Sequence, residues 1–296
     1  MINAGIFRQY DIRGVVGDDL TVEAAEGIGR GYAALLSARG VKGAVAVGRD
    51  NRLTGPALRD GLVKGLTDCG CDVVDIGEVP TPALYWSLHH AGVVGGIQIT
   101  GSHNPPEFNG FKLSVGSTSL HGEGIQQLHH LIAGSASSPV PGTVRTVAVL
   151  DDYVKDIAAH VGKITRPIKV VVDCGNGAGA LAAPRFFAAL GVDAELIFAE
   201  SDGTFPNHHP DPTVVENLQD LIAAVKRSGA ELGIGFDGDA DRIGIVDKDG
   251  TIVWGDYLLI LYARDVLSRT GTGQSIIFDV KCSQALPDAI AAAGGL

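Results

Sequence analysis

The chain has 296 residues, of which 45% are hydrophobic and 19% charged, so it is long enough for two or three globular domains and is not disordered. Its net charge of −11 excludes a general nucleic-acid or acidic-membrane surface, because such partners require a positive field. No apolar run has the length of a membrane span and no basic-then-apolar leader opens the chain, so we expect a cytoplasmic protein with reduced cysteines.

The first half of the chain alternates short apolar runs with amphipathic helical stretches. Thr21 is the predicted N-cap of one helix and Thr54 of the next. Helices are predicted at 21–38, 54–68 and 122–132, with a short one after Pro82, and strands at 44–47, 73–76, 93–100 and 111–115. This alternation is typical of an α/β fold, a layered sheet with crossover helices.

Residues 134–143 are small residues and prolines, which indicate a linker with a domain boundary just after it. The pattern then restarts with a helix at 151–161, capped by Asp151 or Asp152. A further helix is predicted after the glycines at 175–179 and ends at Leu190, and two more are predicted at 214–228 and 255–268. Strands are predicted at 168–172, 194–198, 231–236, 243–246 and 275–280. We therefore divide the chain into residues 1–147, 148–250 and 251–296, the last being the start of an incomplete third domain.

Two conspicuous motifs are interpreted as structural. The glycines at 175, 177 and 179 do not have the spacing of a dinucleotide-binding loop and predict a tight strand-to-helix turn. His208 and His209 are adjacent, and neighbouring side chains rarely point the same way, so we expect them to belong to a structural loop rather than to a metal site.

Two polar loops that follow apolar strands carry most of the residues suited to chemistry. The first contains Ser102 and His103, and Lys112 lies ten positions beyond the serine. The second contains three alternating aspartates, Asp237, Asp239 and Asp241. Alternate carboxylates in one loop converge on a hard cation, and oxygen ligands of this kind suit Mg²⁺.

Competing interpretations of the aspartate-rich loop fit less well. An EF-hand needs glycine at position six and glutamate at position twelve, where this chain has Arg242 and Lys248. Aspartyl-nucleophile phosphatases usually carry threonine or valine at the place of Asp241. A hairpin rich in solvated aspartates also fits poorly, because three like charges this close repel one another without a counter-ion.

Ser102 lacks the Gly-x-Ser-x-Gly elbow of acyl-transfer enzymes, which favours a phosphoryl carrier over an acyl nucleophile. A phosphoserine carries close to two negative charges at neutral pH. A bound metal together with Arg13, Lys112 and Arg242 would balance that charge.

Four segments resemble the α-D-phosphohexomutase superfamily, and within it the bacterial phosphomannomutase/phosphoglucomutase group. They are FRQYDIRG at 7–14, TGSHNP at 100–105, DGDADR at 237–242 and DVKCS at 279–283, in the order and spacing of the family. The resemblance implies repeated three-layer α/β domains, with mixed sheets sandwiched by helices. It implies a monomeric enzyme that interconverts mannose or glucose 1-phosphates and 6-phosphates through a phosphoserine and a sugar 1,6-bisphosphate.

The resemblance also implies roles for individual residues. Ser102 would be the phosphoserine, flanked by His103, and one of its oxygens would complete an Mg²⁺ site formed by Asp237, Asp239 and Asp241. Arg13 and Lys112 would lie beside the transferring phosphoryl group, supporting proton movement and charge neutralisation. The substrate cleft would be lined by Tyr10, Arg242 and Lys281.

The sequence departs from the family pattern in two places. Ala240 stands where the family usually has glycine, and we expect little effect unless this residue needs a positive φ angle. The sugar-recognition loop and the fourth domain of the family have no counterpart in these 296 residues. The alternative function is therefore a fragment that binds metal or phosphosugar without turnover, or a weak phosphatase in which water replaces the sugar.

Overall fold

The computed structural model describes residues 2–296, which form two sheets with helices on both faces. The strands of the first sheet are β1 (Ile12–Val15), β2 (Val45–Arg49), β3 (Val73–Glu78), β4 (Gly95–Ile99), β5 (Phe108–Val115), β6 (Thr118–Ser119) and β7 (Val144–Thr146). Their order in the sheet is β1-β5-β4-β2-β3-β7, with β6 paired to β5. Its helices are α1 (Val22–Ala38), α2 (Gly55–Asp68), α3 (Thr81–His90) and α4 (Glu123–Ile132).

Strand β2 shows how this sheet is buried between two helical layers. Val45 and Val47 pack into the core shared with α1, α2 and α4, whereas Ala46 belongs to a separate core with α3. Both faces of a central parallel strand are therefore apolar. Strand β4 pairs in parallel with β2 and antiparallel with β5, so the sheet is mixed and the predicted fold class is confirmed.

The strands of the second sheet are β8 (Lys169–Asp173), β9 (Asp193–Ile197), β10 (Leu232–Phe236), β11 (Ile243–Asp247) and β12 (Ile252–Val253). Their order is β12-β11-β10-β8-β9. Val170 and Val172 pack on one helix and Val171 on another, so three layers form again. The helices are α5 (Leu150–Val161), α6 (Gly179–Leu190) and α7 (Gln219–Ser228).

The last residues form α8 (Gly255–Thr270) and α9 (Ala285–Ala292), which share a small core. The strand predicted at 275–280 is wrong: Ile277 is 93% exposed and Val280 96%, and these residues pair with no strand of the described chain. Their apolar, β-branched character predicted a strand, but a strand forms only where a neighbour satisfies its backbone. The domain limits at 147 and 250 stay a prediction. None of the described helices is both long and apolar enough to cross a membrane.

The helix starts were predicted with mixed success. Thr21 caps α1, its hydroxyl accepting the Ala24 N–H at 3.2 Å. Thr54 makes no such bond, because its hydroxyl accepts from Asn109 of β5 at 2.9 Å. Neither Asp151 nor Asp152 caps α5, which begins at Leu150 and so places both in its first turn. The helix predicted at 214–228 opens with a 3₁₀ turn, Val215–Leu218, before α7.

Candidate active site

Two loops meet at the carboxyl ends of strands β4 and β10, the edge at which α/β sheets commonly hold ligands. The serine loop, residues 100–107, joins β4 to β5, and the aspartate loop, residues 237–242, joins β10 to β11. Their backbones touch, because a Cβ atom on Gly238 would lie only 2.4 Å from the carbonyl oxygen of Ser102. Glycine at this position therefore allows the two loops to approach.

Ser102 is 2% exposed and has a φ angle of 50°. That backbone region costs a non-glycine residue about 1 kcal/mol, so surrounding contacts must hold it. Its N–H donates to Oγ1 of Thr100 at 2.8 Å. Its hydroxyl donates to Oδ2 of Asp237 at 2.9 Å and lies 3.5 Å from Nδ1 of His103. The hydroxyl is thus directed toward the carboxylates of the aspartate loop.

The carboxylates of Asp237, Asp239 and Asp241 offer oxygen atoms that lie within 4.8 Å of one another. Within the described chain, the buried Oδ1 of Asp239 has no hydrogen-bond partner. Burial, together with the charges of Asp239 and Asp241, raises the pKa of Asp237. An orphaned oxygen among mutually repelling carboxylates fits a divalent cation.

Lys112 of β5 reaches into the aspartate loop from the first sheet. Its ammonium lies 2.6 Å from Oδ2 of Asp239 and 2.5 Å from Oδ2 of Asp241. Burial alone would lower the pKa of Lys112, but these two carboxylates raise it above its ordinary value, so the group is charged at neutral pH. The Thr81 hydroxyl, at the start of α3, also donates to Asp239 at 2.5 Å. Burial alone would raise the pKa of Asp239, but the charge of Lys112 and the hydrogen bonds to this carboxylate together outweigh burial and lower its pKa.

Arg13 of β1 approaches the serine loop from the other side. Its guanidinium is 5% exposed and donates to the carbonyl of Gly101, to Oδ1 of Asn104 at 3.1 Å and to Asp11 at 2.5 Å. His103 is half-buried, and burial with the nearby charge of Arg242 lowers its pKa, which favours the neutral imidazole at neutral pH.

A cavity of 560 Å³ opens in front of Ser102. Of the residues predicted for the site, its wall includes Tyr10, Arg13, Ser102, Lys112, Asp241 and Arg242. Tyr85, Ser119 and His121 also line it, and the sequence analysis did not identify them. Lys281 is not part of the wall: its side chain is 86% exposed, and its ammonium lies 3.9 Å from Asp279.

Two domain profiles of one family cover most of the chain. Residues 4–133 match "Phosphoglucomutase/phosphomannomutase, alpha/beta/alpha domain I", and residues 151–250 match domain II of the same family. The chain belongs to the phosphoglucomutase/phosphomannomutase family.

Relatives within this family match the chain almost from end to end. The phosphomannomutase/phosphoglucomutase of Pseudomonas aeruginosa is 50% identical over 292 residues, which are 99% of this chain and 62% of the relative. The phosphoglucomutase of Neisseria gonorrhoeae is 46% identical over 296 residues, covering 99% of this chain and 64% of the relative. A phosphoglucomutase/phosphomannomutase family protein from Burkholderia thailandensis, known from its crystal structure, superposes with a TM-score of 0.94 at 45% identity, over 100% of this chain and 66% of that one. The chain thus spans less than two thirds of these relatives.

Ala240 has a strained backbone. Its φ angle is 56°, so the condition under which we expected its methyl group to have little effect, the absence of a positive φ angle, is not met. The strand-to-helix turn at 174–178 supports the aspartate loop from behind. A Cβ atom on Gly177 would lie 2.6 Å from the Gly238 carbonyl oxygen, and the Ala178 N–H donates to the same oxygen at 2.9 Å. Nε2 of His208 lies 3.0 Å from Oδ2 of Asp173 and its Nδ1 lies 2.9 Å from the His209 carbonyl oxygen; the structural role expected for the two histidines stays a prediction.

A buried ion pair behind the serine loop, formed by Asp50 and Arg52, was not predicted from the sequence. A usable signal was present, because Arg49 and Asp50 end the apolar run of β2, which lies beside β4 in parallel. Charged residues at the carboxyl ends of neighbouring parallel strands come together at one edge of the sheet.

Proposed function

We propose that this chain carries the phosphoryl-transfer part of a phosphohexomutase that interconverts hexose 1-phosphates and 6-phosphates of mannose or glucose. The observation that carries the proposal is the 2.9 Å bond from the Ser102 hydroxyl to Asp237, within a cluster of three carboxylates. Phosphoryl transfer depends chiefly on positioning and charge neutralisation, and a buried hydroxyl beside a candidate cation site suits both. Hexose phosphates as substrates, a monomeric state and a cytoplasmic location are parts of the same proposal.

In the proposed reaction Ser102 carries the phosphoryl group on Oγ. A sugar hydroxyl oxygen forms a bond to phosphorus while the P–Oγ bond breaks, which yields the sugar 1,6-bisphosphate. The hydroxyl proton goes to the neutral imidazole of His103, whose Nδ1 lies 3.5 Å from Oγ. After the bisphosphate turns around, Oγ of Ser102 forms a bond to the other phosphorus while the bond from that phosphorus to the sugar oxygen breaks, and the imidazole gives its proton to the sugar oxygen that is released.

Three cationic side chains offset the charge of the moving group in this scheme. Arg13, Lys112 and Arg242 all line the 560 Å³ cavity, whose size is within the range of about 300–1,000 Å³ typical of small-molecule sites. Tyr10 at the cavity wall and Arg242 are the proposed sugar-phosphate contacts. For Lys281 to reach the same substrate, the segment before α9 has to change position, since its side chain now faces solvent.

Asp237, Asp239 and Asp241, with an oxygen on Ser102, would hold Mg²⁺. The all-oxygen donor set, the raised pKa of Asp237 and the orphaned Oδ1 of Asp239 fit this ion. When bound, the cation neutralises charge on the phosphoryl oxygens. We propose residues 1–147 as the unit that supplies the serine and residues 148–250 as the unit that supplies these carboxylates.

The test is to incubate the chain with glucose 1,6-bisphosphate and Mg²⁺ and to measure its intact mass. We expect the gain of one phosphoryl group in the wild type and none in Ser102→Ala. Ser87→Ala, which removes another buried serine hydroxyl in the same unit, is the matched control. A Ser102→Ala chain that is phosphorylated as fast as the wild type contradicts the assignment.

Isomerisation of glucose 1-phosphate and mannose 1-phosphate then distinguishes the remaining alternatives. Turnover that depends on Ser102 supports a mutase. A chain that is phosphorylated but does not isomerise either sugar is a phosphosugar-binding fragment. Release of inorganic phosphate without isomerisation indicates a phosphatase.

A further inference from the structure

Arg52 lies beneath the serine loop, in the turn between β2 and α2, and its side chain is fully buried. A guanidinium has five N–H donors in a rigid planar arrangement, and all five have acceptors here. The Nε–H faces Asp50 at 3.3 Å. The other four donors reach four backbone carbonyls of the chain from 102 to 108: Ser102 at 2.8 Å, Asn104 at 2.6 Å, Pro105 at 2.6 Å and Phe108 at 2.9 Å.

Asp50 completes the support from the opposite end of the loop. Its Oδ2 accepts the Gly101 N–H at 3.1 Å, while its Oδ1 accepts the backbone N–H of Arg52 at 3.1 Å. The guanidinium also packs directly against Gly101, because a Cβ atom there would lie 2.2 Å from its central carbon. The pair therefore binds the serine loop and the first residue of β5 through one N–H and four carbonyls.

Residues of the second unit also pack against Arg52. The ring of Phe205 lies 5.2 Å from the guanidinium carbon, within the range of a cation–π contact. Gly203 packs on the Asn51–Arg52 backbone, where a Cβ atom would lie 2.3 Å from the Asn51 carbonyl oxygen. Arg52 is thus enclosed by the serine loop on one side and by the loop at 202–212 on the other.

This arrangement matters because Ser102 occupies an unfavourable backbone conformation. A residue at a φ of 50° keeps that angle only when its neighbours fix it, and Arg52 binds the carbonyl of Ser102 itself. The hydroxyl direction toward Asp237 depends on that backbone. Lysine cannot replace the guanidinium, because one ammonium with three donors cannot satisfy four carbonyls and a carboxylate.

We propose that Arg52 is a positioning residue that fixes the Ser102 hydroxyl for phosphoryl transfer through its bonds to the loop carbonyls, without touching the substrate. The inference rests on the proposed function. It concerns the rate at which Ser102 accepts or gives a phosphoryl group, and it assigns a positioning role to a buried charge behind the loop.

The test is a single-turnover measurement on the full chain with Arg52→Lys and, as the matched control, Arg59→Lys. Arg59 is a half-buried arginine on α2 that pairs with Asp75 and Asp60 and does not contact the serine loop. Phosphorylation of Ser102 by glucose 1,6-bisphosphate with Mg²⁺ is followed over time by intact mass. Three quantities are extracted: the limiting rate constant, the half-saturating bisphosphate concentration and the final phosphorylated fraction.

We expect Arg52→Lys to lower the limiting rate constant by about 100-fold, the typical effect of misplacing a reacting group by about 1 Å, with the half-saturating concentration unchanged. A merely structural role would lower the phosphorylated fraction and leave the rate constant of the remaining folded chains unaltered. A rate constant within about twofold of the wild type therefore overturns the inference. Arg59→Lys should match the wild type in all three quantities.

If Arg52→Lys fails to fold, Asp50→Asn decides. This substitution keeps the shape of the side chain and removes the charge that faces the guanidinium. The same drop in the rate constant supports the proposal, and an unchanged rate constant overturns it. A wild-type chain that never becomes phosphorylated refutes the proposed function instead, so the two failures are distinguishable.

Discussion

The serine loop and the aspartate loop have the same topology but are held in different ways. Each leaves the carboxyl end of a parallel strand and returns as an antiparallel partner, and each contains one strained non-glycine residue, Ser102 or Ala240. The aspartate loop is closed by its own side chain, since Oδ1 of Asp237 accepts the N–H groups of Asp241 at 3.0 Å and Arg242 at 3.1 Å, and the contacts of Lys112 and Ala178 come in addition. The serine loop depends on Arg52, which is about fifty positions away.

This difference separates two kinds of functional loop. A loop closed by its own side chains can be recognised from a short stretch of sequence, because donor and acceptor lie within six residues. A loop held by a distant guanidinium exists only once the surrounding sheet has formed. Changes in the body of the first unit should therefore disturb the serine loop more than the aspartate loop.

The largest effect is expected where Lys112 joins the two loops. Replacing Lys112 with Met leaves the fully buried carboxylate of Asp239 without its cation, which should lower the free energy of unfolding of the metal-free chain by about 3 kcal/mol. Lys64→Met is the control, because Lys64 also binds two carboxylates but is 56% exposed, and such pairs contribute about 1 kcal/mol or less. Urea denaturation measures both, and added Mg²⁺ should recover more stability in Lys112→Met than in the wild type. Equal losses in the two variants would contradict the buried bridge.

The next effect is expected at Gly238, where the backbones meet. In Gly238→Ala the new methyl group would lie 2.4 Å from the Ser102 carbonyl oxygen, so the loops must separate. We expect the rate of Ser102 phosphorylation to fall by about 100-fold. Gly255→Ala, at the open start of α8 with nothing within 4 Å of the added atom, should leave the rate unchanged. An unaltered rate in Gly238→Ala would show that close contact of the loops is unnecessary.

A smaller effect of opposite sign is expected at Ala240. Glycine adopts a φ of 56° freely, so Ala240→Gly should stabilise the chain by about 1 kcal/mol. Ala34→Gly in the middle of α1 should destabilise it by about 1 kcal/mol, because glycine weakens a helix. Thermal unfolding of the two variants should therefore shift the midpoint in opposite directions. A lower midpoint for Ala240→Gly would mean that the methyl group makes contacts worth more than the strain.

The smallest effect concerns pH and the support behind the aspartate loop. Burial lowers the pKa of His208, but its bonds to Asp173 and to the His209 carbonyl outweigh burial and raise it. Because the folded-state pKa is the higher one, the pair stabilises fully below the unfolded value of about 6.5 and loses this contribution as pH rises through the folded value. Between about pH 5 and about pH 8 the melting temperature of the wild type should fall more than that of His208→Gln. His160→Gln, on the exposed surface of α5, should behave like the wild type.

The same contrast explains which parts of the molecule the sequence could predict. The alternating aspartates and the Ser102 segment are local patterns, and the α/β alternation follows from local periodicity. The charges at the end of β2 could have indicated the Asp50–Arg52 pair, but the contacts of Arg52 with the serine loop could not be predicted, because its acceptors are backbone carbonyls, which have no sequence signature. The strand predicted at 275–280 failed for a related reason, since pairing depends on a neighbour that the apolar pattern does not reveal. The strain at Ala240 could be recognised only from its φ angle in the structure.

The junction between Ser102 and Asp237 also has a consequence for biosynthesis. The serine and Lys112 leave the ribosome more than a hundred residues before the aspartates, and the buried hydrogen bond cannot form until the second unit has folded against the first. In the proposed chemistry, a partly made or half-folded chain would hold an ordinary hydroxyl and could not capture a phosphoryl group. Competence for transfer would then report that the two units had assembled correctly.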